Sequence, residues 1–241
     1  QPSQSDYFQA TKGGGHGDYH LIVLSPSTVQ EMADFVGLGI DLAFKYRTPS
    51  MILADGVVGQ MMEKVILPEQ RPRRTEAEIA EQCPWAATGK HGRSHRNIVT
   101  SLEMEPEKME VNNHRLQEKY DLIEANEVRF EEHFTDDAEY LIVAFGSVAR
   151  ICLKAIEDAR EQGIKVGLIR PITLWPFPKK AIAELARKVK GILVVELNAG
   201  QMIEDVRLAA GSQLPVHHFG RMGGIVPNPD EIREVLKNII K

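Results

Sequence analysis

Polar residues and glycines cluster where the apolar runs of this 241-residue chain end. Gly146, Ser147 and Arg150 follow Glu139-Tyr-Leu-Ile-Val-Ala-Phe145, and Arg170 closes Lys165-Val-Gly-Leu-Ile169. Glu196, Asn198, Gly200 and Gln201 follow Gly191-Ile-Leu-Val-Val195, and Arg221, Gly223 and Gly224 follow Pro215-Val-His-His-Phe219. In an open parallel sheet, ligands and partners meet the carboxyl ends of the strands, where loops and helix N-termini gather. No Gly-x-Gly-x-x-Gly run and no Walker loop is present, so the backbone cradles for dinucleotides and nucleoside triphosphates are not expected; the edge can serve a protein neighbour instead. Ser147 lies outside any Gly-x-Ser-x-Gly elbow and reads as the N-cap of the helix after it, not as a nucleophile.

Other groupings carry less chemistry. His91 and His95 have the i, i+4 spacing that offers two imidazoles to one metal on a helix, but the neighbouring glycine favours a loop. His217 and His218 are adjacent on a strand and so point to opposite faces. Gly13-Gly-Gly-His-Gly-Asp-Tyr19 precedes a strand where an anion site would need a helix, and it reads as a hinge or loop. The two cysteines, Cys83 and Cys152, form no C-x-x-C pair, so no iron-sulfur cluster is expected in this chain, and Cys152 reads as an inert core thiol. No catalytic residue and no metal ligand is assigned.

The composition, with 43% hydrophobic and 26% charged residues and a net charge of -5, is that of a globular protein without the basic surplus of a nucleic-acid or membrane-surface binder. No apolar run reaches the length of a bilayer span and the first residues do not resemble a signal peptide, so a cytoplasmic protein is expected.

The elements that must position these residues fall into two blocks. Residues 20–24 read as a strand and residues 27–47 as a helix with a Ser27/Gln30 capping box and an apolar face of Val29, Met32, Ala33, Val36, Ile40 and Ala43. Ser50 to Asp55 reads as a second buried strand, which makes a parallel β-α-β unit whose first strand has no earlier element to pack on it. Residues 60–106 form a long irregular excursion, and the charged segment that follows reads as a linking helix with Leu116, Tyr120 and Ile123 on one stripe. Downstream, four apolar strands alternate with four amphipathic helices, the last opened by Asn228-Pro229; this is an open, mostly parallel α/β domain covered on both faces.

The run from Asp136 to Met202 resembles the C-terminal domain of transketolase-like thiamine-diphosphate enzymes. It has a strand ending in Gly-Ser, then Gly-Ile-x-Val, then Arg170-Pro-Ile-Thr-Leu-Trp-Pro-Phe-Pro178, then Val-Val-Glu196. Within that superfamily, Glu196-Leu-Asn-Ala-Gly-Gln-Met-Ile-Glu-Asp-Val-Arg207 and the first 56 residues resemble the alpha subunit of 2-oxoacid:ferredoxin oxidoreductases, closest to the 2-oxoisovalerate (branched-chain) type. The resemblance implies the C-terminal half of a pyrimidine-binding-like domain (1–106), a linking helix (107–136) and a transketolase C-terminal-like domain (137–241). It implies oxidative decarboxylation of a 2-oxoacid with coenzyme A to acyl-CoA, with electrons passing to ferredoxin. The thiamine diphosphate and Mg2+ are shared with a beta subunit that binds the diphosphate, and the iron-sulfur clusters belong to another subunit. The activating glutamate of such enzymes has no counterpart in this chain. An assembly module without a ligand of its own, or a component of another thiamine enzyme, is the alternative.

On this resemblance Asp55 and Gly56 are the cofactor-side positions, and Ser147, Arg170, Trp175, Phe177, Glu196, Asn198, Gln201 and Arg221 form a subunit or ligand edge. The connector with three prolines in Arg170–Pro178 is too poor in donors for a central strand or a helix interior. A stiff ledge for docking another subunit is expected, with Trp175 and Phe177 as anchors, so that Trp175→Ala would weaken assembly more than folding.

Overall fold

The computed structural model describes residues 1–70, 72–90, 93–212 and 214–240. The chain divides into two compact units, one made of residues 1–66 and 116–241 and the other of 67–115.

Helix α1 (Tyr7–Lys12) opens the larger unit, followed by β1 (Ile22–Leu24), α2 (Val29–Tyr46) and β2 (Ser50–Ile52). The strand expected to lack an earlier partner therefore has a helix ahead of it, in which Tyr7 is fully buried. β1 and β2 pair in parallel, as the β-α-β reading requires. The cap of α2 sits one residue later than the Ser27/Gln30 pattern suggests: Thr28 Oγ1 accepts from the Glu31 amide, and the Glu31 carboxylate accepts from the Ser27 amide at 2.6 Å. The inward face is also different. Phe35, Gly39 and Leu42 are buried, whereas Val36 and Ile40 are 51% and 54% exposed. The close approach is made at Gly39, whose carbonyl accepts from Ser50 Oγ at 2.7 Å and where a Cβ would stand 3.0 Å from that oxygen. The orientation of α2 follows from that contact, because apolar residues occur on more than one of its faces.

Residues 67–115 carry little regular structure. Thr75 and Glu78 form a full capping box on α3 (Glu76–Gln82), and Cys83 is the single buried hydrophobic side chain among the described residues of this unit. Helix α4 (Pro106–Asn126) follows, burying Tyr120 and Ile123 as its stripe predicts. It ends ten residues short of the expected helix boundary at 136: Phe130–His133 instead form β3, antiparallel to the strand that contains Arg170.

The remaining elements are β4 (Tyr140–Val143), α5 (Gly146–Glu161), β5 (Val166–Pro171), β6 (Thr173–Trp175), α6 (Lys179–Ala186), β7 (Gly191–Glu196), α7 (Met202–Ala210), β8 (Val216–Gly220) and α8 (Pro229–Ile240). Five strands make a sheet in the order β3-β5-β4-β7-β8, parallel except for β3. Alternate residues of its strands enter separate cores. Leu141, Val143, Ile192 and Val194 join α6, α7 and the first block, while Ile142, Ala144, Leu193 and Val195 join α5 and α8. Cys152 lies in the second core at 0% exposure, and burial drives its thiol far up, which fits an inert core thiol.

The proline connector is not an outward ledge. Between Pro171 and Pro176 the chain leaves one sheet and enters the other, where β6 pairs antiparallel with β1 as an edge strand, Val23 opposite Trp175. Trp175 and Phe177 are 7% and 5% exposed in the chain itself. Trp175 stacks on His20 with ring centroids 4.5 Å apart and meets Tyr120 edge-on. The aromatics bind the chain's two blocks together, so the expectation that Trp175→Ala would weaken assembly more than folding is revised: folding itself depends on this side chain. The substitution should cost about 3–5 kcal/mol of stability in denaturant titration.

His20 adds a pH dependence. Burial against Trp175 pushes its imidazole below the ordinary value, the charge of Glu124 opposing and those of Lys179 and Lys12 assisting. The unfolded chain then holds the proton more readily than the folded one, so the stabilisation is complete above about pH 6.5 and declines as the pH falls through and below it. Thermal melts at stepped pH should show a shallower acid decline for His20→Phe, which keeps the stacked ring; an unchanged decline would assign it to other groups.

Candidate functional site

Each acid and amide expected at the strand ends is brought to that edge, and each is engaged within the chain. Asp55, just beyond β2, is 6% exposed. Its Oδ1 accepts from the Val57 and Val58 amides at 2.9 and 3.3 Å. Its Oδ2 accepts from the Ser147 amide at 3.1 Å and from Ser147 Oγ at 2.7 Å. Four donors fill the capacity of one carboxylate. Asp55 thereby closes the N-terminus of α5 from the other sheet, a favourable place for a negative charge. Ser147, expected as the cap, lies inside the first turn, and the N-cap position falls to Phe145, whose side chain makes no capping bond. Gly146 between them has φ +60°, and a Cβ there would stand 3.0 Å from both Asp55 Oδ2 and Gln4 Nε2.

Glu196 does the same for α7 from its own strand. Fully buried, it accepts from the Met202 amide at 2.8 Å through Oε2 and from the Ile203 amide at 3.1 Å through Oε1. Asn198 and Gln201 hold the N-terminal segment, Gln1–Asp6, which crosses the strand ends as a strap. Asn198 Nδ2 donates to the Gln4 carbonyl at 2.9 Å, and Gln201 Nε2 donates to the Ser5 carbonyl at 2.9 Å. Gln4 completes the fastening: its Nε2 donates to the Phe145 carbonyl at 2.9 Å, and its Oε1 accepts from the Leu197 amide at 3.0 Å. Beside Gly56, the bare Cα leaves room for the Gln1 carbonyl, which would lie 3.1 Å from any Cβ.

Arg170 is 2% exposed and makes a bidentate pair with Glu31 of α2, at 2.9 and 2.5 Å, while Nε donates to Glu131 across the β3-β5 ladder at 2.9 Å. Burial alone would raise the Glu31 carboxyl, but the hydrogen bonds from Arg170 and Ser27 outweigh it and hold Glu31 below the usual carboxylate range. Arg221 lies 3.3 Å from Glu231, at the start of α8, where Asn228 and Glu231 form the reciprocal cap that Asn228-Pro229 announces. His218 is half-buried and His217 exposed, the alternation expected of neighbours on a strand. His91 lies outside the described residues, and among the described residues no group of three or more His, Cys, Asp or Glu is arranged to hold a metal.

Sequence reasoning missed Gln4, Tyr7, Glu31, Glu127 and Asp205. Tyr7 donates to Asp205 at 2.7 Å, with Lys12 on the other carboxylate oxygen, and burial followed by that charge drives the Tyr7 phenol well above its ordinary value. Glu127 accepts from Lys45 and from the Tyr46 hydroxyl at 2.7 and 2.6 Å. The partners Phe145, Asp205, Arg170 and Lys45 are far away in sequence, and the one local signal is Thr28-x-x-Glu31, the capping pattern that places Glu31 in the first turn of α2.

Thiamine diphosphate, which the resemblance implies, does not fit these residues alone. The cavity at the strand ends, bounded by the strap and by Ala54 and Asp55, has a volume of about 20 Å³, far below the several hundred that a cofactor site requires. The buried carboxylates that could meet its rings already serve helix ends and side-chain partners. Asp55→Asn is expected to cost about 1–3 kcal/mol in thermal or denaturant unfolding, because amide hydrogens would face the Ser147 or Val57 donors. Gly146→Ala should also destabilise, through its left-handed backbone and the contact with Asp55. A loss of activity from Asp55→Asn with full stability retained would instead give Asp55 a ligand role.

Comparison with known proteins agrees with the fold. Residues 1–131 match the family model for the thiamine-diphosphate-binding domain of pyruvate flavodoxin/ferredoxin oxidoreductase, and residues 138–232 match pyruvate:ferredoxin oxidoreductase core domain II. Ketoisovalerate oxidoreductase subunit VorB of Methanothermobacter marburgensis is 45% identical over 238 residues, covering 99% of this chain and 65% of the relative. The 2-oxoglutarate synthase subunit KorA of Methanocaldococcus jannaschii is 32% identical over 253 residues, covering 97% of this chain and 68% of the relative. This chain thus spans 65% of the length of the VorB relatives. A solved structure of 2-oxoglutarate:ferredoxin oxidoreductase from Magnetococcus marinus shares the fold with a TM-score of 0.79 at 23% identity, over 99% of this chain and 45% of the other. With a thiamine-binding domain model over more than half its length and a core-domain model over most of the remainder, the chain belongs to the 2-oxoacid:ferredoxin oxidoreductase family.

Proposed function

We propose that this chain is part of the alpha subunit of a thiamine-diphosphate-dependent 2-oxoacid:ferredoxin oxidoreductase acting on 2-oxoisovalerate. The reaction is oxidative decarboxylation with coenzyme A to acyl-CoA and carbon dioxide, with two electrons delivered to ferredoxin. The observation that carries the substrate is the 45% identity over 238 residues to a protein named ketoisovalerate oxidoreductase subunit, against 35% over 250 residues to one named 2-oxoglutarate synthase subunit from the same organism. In this reading a beta subunit holds the diphosphate and Mg2+, a further subunit carries the iron-sulfur clusters, and the assembly is cytoplasmic. Among the described residues no helix is long and apolar enough to cross a membrane. The division into a pyrimidine-binding-like part (1–106), a linking segment (107–136) and a transketolase C-terminal-like part (137–241) belongs to the same reading, with the linking segment also supplying β3.

The thiamine, when bound, supplies the carbanion chemistry. The contribution proposed for this chain is rigidity: strand-end acids that cap helices and a strap that fixes both sheets beside the site. That saturated edge favours a second reading, in which this part of the subunit assembles the enzyme and touches no ligand.

The test is anaerobic purification of the full-length subunit with whatever accompanies it, followed by 2-oxoacid- and coenzyme-A-dependent reduction of a viologen dye. Faster turnover with 2-oxoisovalerate than with 2-oxoglutarate is expected. Preference for 2-oxoglutarate would overturn the substrate, and no 2-oxoacid-dependent reduction by the complex would overturn the activity. Thermal stabilisation of the isolated subunit by thiamine diphosphate would reject the second reading.

A further inference from the structure

We propose that the cavity beneath the N-terminal strap is a binding site for one ordered water molecule, which joins Ser25 at the end of β1 to the strap. Ser25 is 1% exposed, and its Oγ has no hydrogen-bond partner among the described residues. A buried hydroxyl left in that condition costs free energy that native structures rarely tolerate. The hydroxyl borders a cavity of about 20 Å³ lined also by Ser3, Gln4 and Asp6 of the strap and by Ala54 and Asp55. About 10–15 Å³ accommodates one water, so the volume suits a single molecule and no larger ligand.

The chemistry of the lining selects water over a cation. Asp55 is the one buried carboxylate there, and its four acceptor positions are occupied by Val57, Val58 and Ser147. Gln4 is likewise committed to Phe145 and Leu197 through its side chain. What remains is the buried Ser25 hydroxyl, with Ser3 and the exposed Asp6 on the strap and Leu53 and Phe145 as apolar walls, a setting that a molecule able both to donate and to accept can satisfy. The water bridges two pieces that no direct hydrogen bond of the Ser25 side chain connects: the end of β1 and the strap, where Ser3 and Asp6 line the cavity.

Two measurements on the full-length subunit test this. A crystal structure at high resolution should show a solvent peak about 2.7–3.2 Å from Ser25 Oγ inside the cavity. Ser25→Ala should lower Tm by roughly 2–4 °C, since it removes one of the water's partners, and should speed hydrogen exchange at the Gln4 and Leu197 amides. The proposal is overturned by a structure with no peak at that position. It is equally overturned by a Ser25→Ala variant with unchanged or higher Tm, because removing an unpartnered hydroxyl relieves the folded state. Should the variant fail to fold, the solvent peak in the parent protein decides.

Discussion

The pairing of β6 with β1 is the constraint on which the other contacts rest. Pro171 ends the strand of one sheet and, with Ile172 as the only intervening residue, Thr173 begins a strand of the other. Two sheets joined by so short a connection cannot move apart without breaking main-chain hydrogen bonds, and the Ser25 amide donates to the Ile172 carbonyl at 2.8 Å at the crossing itself. Trp175 is carried across by that strand and buried against His20 and Tyr120. A connector rich in proline suits the task, because it stiffens the crossing while its missing donors fall at strand ends or on an edge.

With the sheets held together, each can supply what the other lacks. Helix α5 begins without a side-chain cap of its own, and the carboxylate that fills the role arrives from beyond β2. Arg170 leaves its own sheet to grip Glu31 at the start of α2. A bidentate pair of this kind fixes orientation as well as distance, and the neighbouring Glu131 keeps the buried guanidinium from being left with donors unmet. The strap adds a third fastening, with Gln4 reaching Phe145 on one side of the edge and Leu197 on the other. The expected ligand edge is in this way a self-complementary surface. An active site assembled between subunits gains from such a wall, since reacting groups must be held to fractions of an ångström by elements that do not themselves yield.

Several features were legible in the residues alone. The apolar runs that form β4, β5 and β7 read as buried parallel strands with helices on both faces, and they are; the fourth run forms β8, parallel as expected but at the sheet edge with His217 exposed. Asn228-Pro229 carries a cap in its own side chain, and Cys152 sits on a helical stripe that must face the sheet; both statements depend on neighbours within one turn. The inward face of α2 was not legible, because Val36 and Ile40 are as apolar as Phe35 and Leu42 and the choice was made by the close approach at Gly39. Nor was β3, whose exposed, charged sequence Phe130-Glu-Glu-His133 has strand form through its ladder with β5.

By itself, then, the sequence determined the α/β class, the parallel sense of the recurrent strands and the family, since periodicity, capping and spaced motifs are local quantities. Only the tertiary structure decided what the polar residues at the strand ends do. Asp55 and Ser147 are 92 positions apart, Gln4 and Leu197 are 193, and Arg170 and Glu31 are 139. A carboxylate at a strand end looks the same in sequence whether it awaits a ligand or a helix amide. The difference is the number of donors that folding brings to it, and that number is set by contacts across the whole chain.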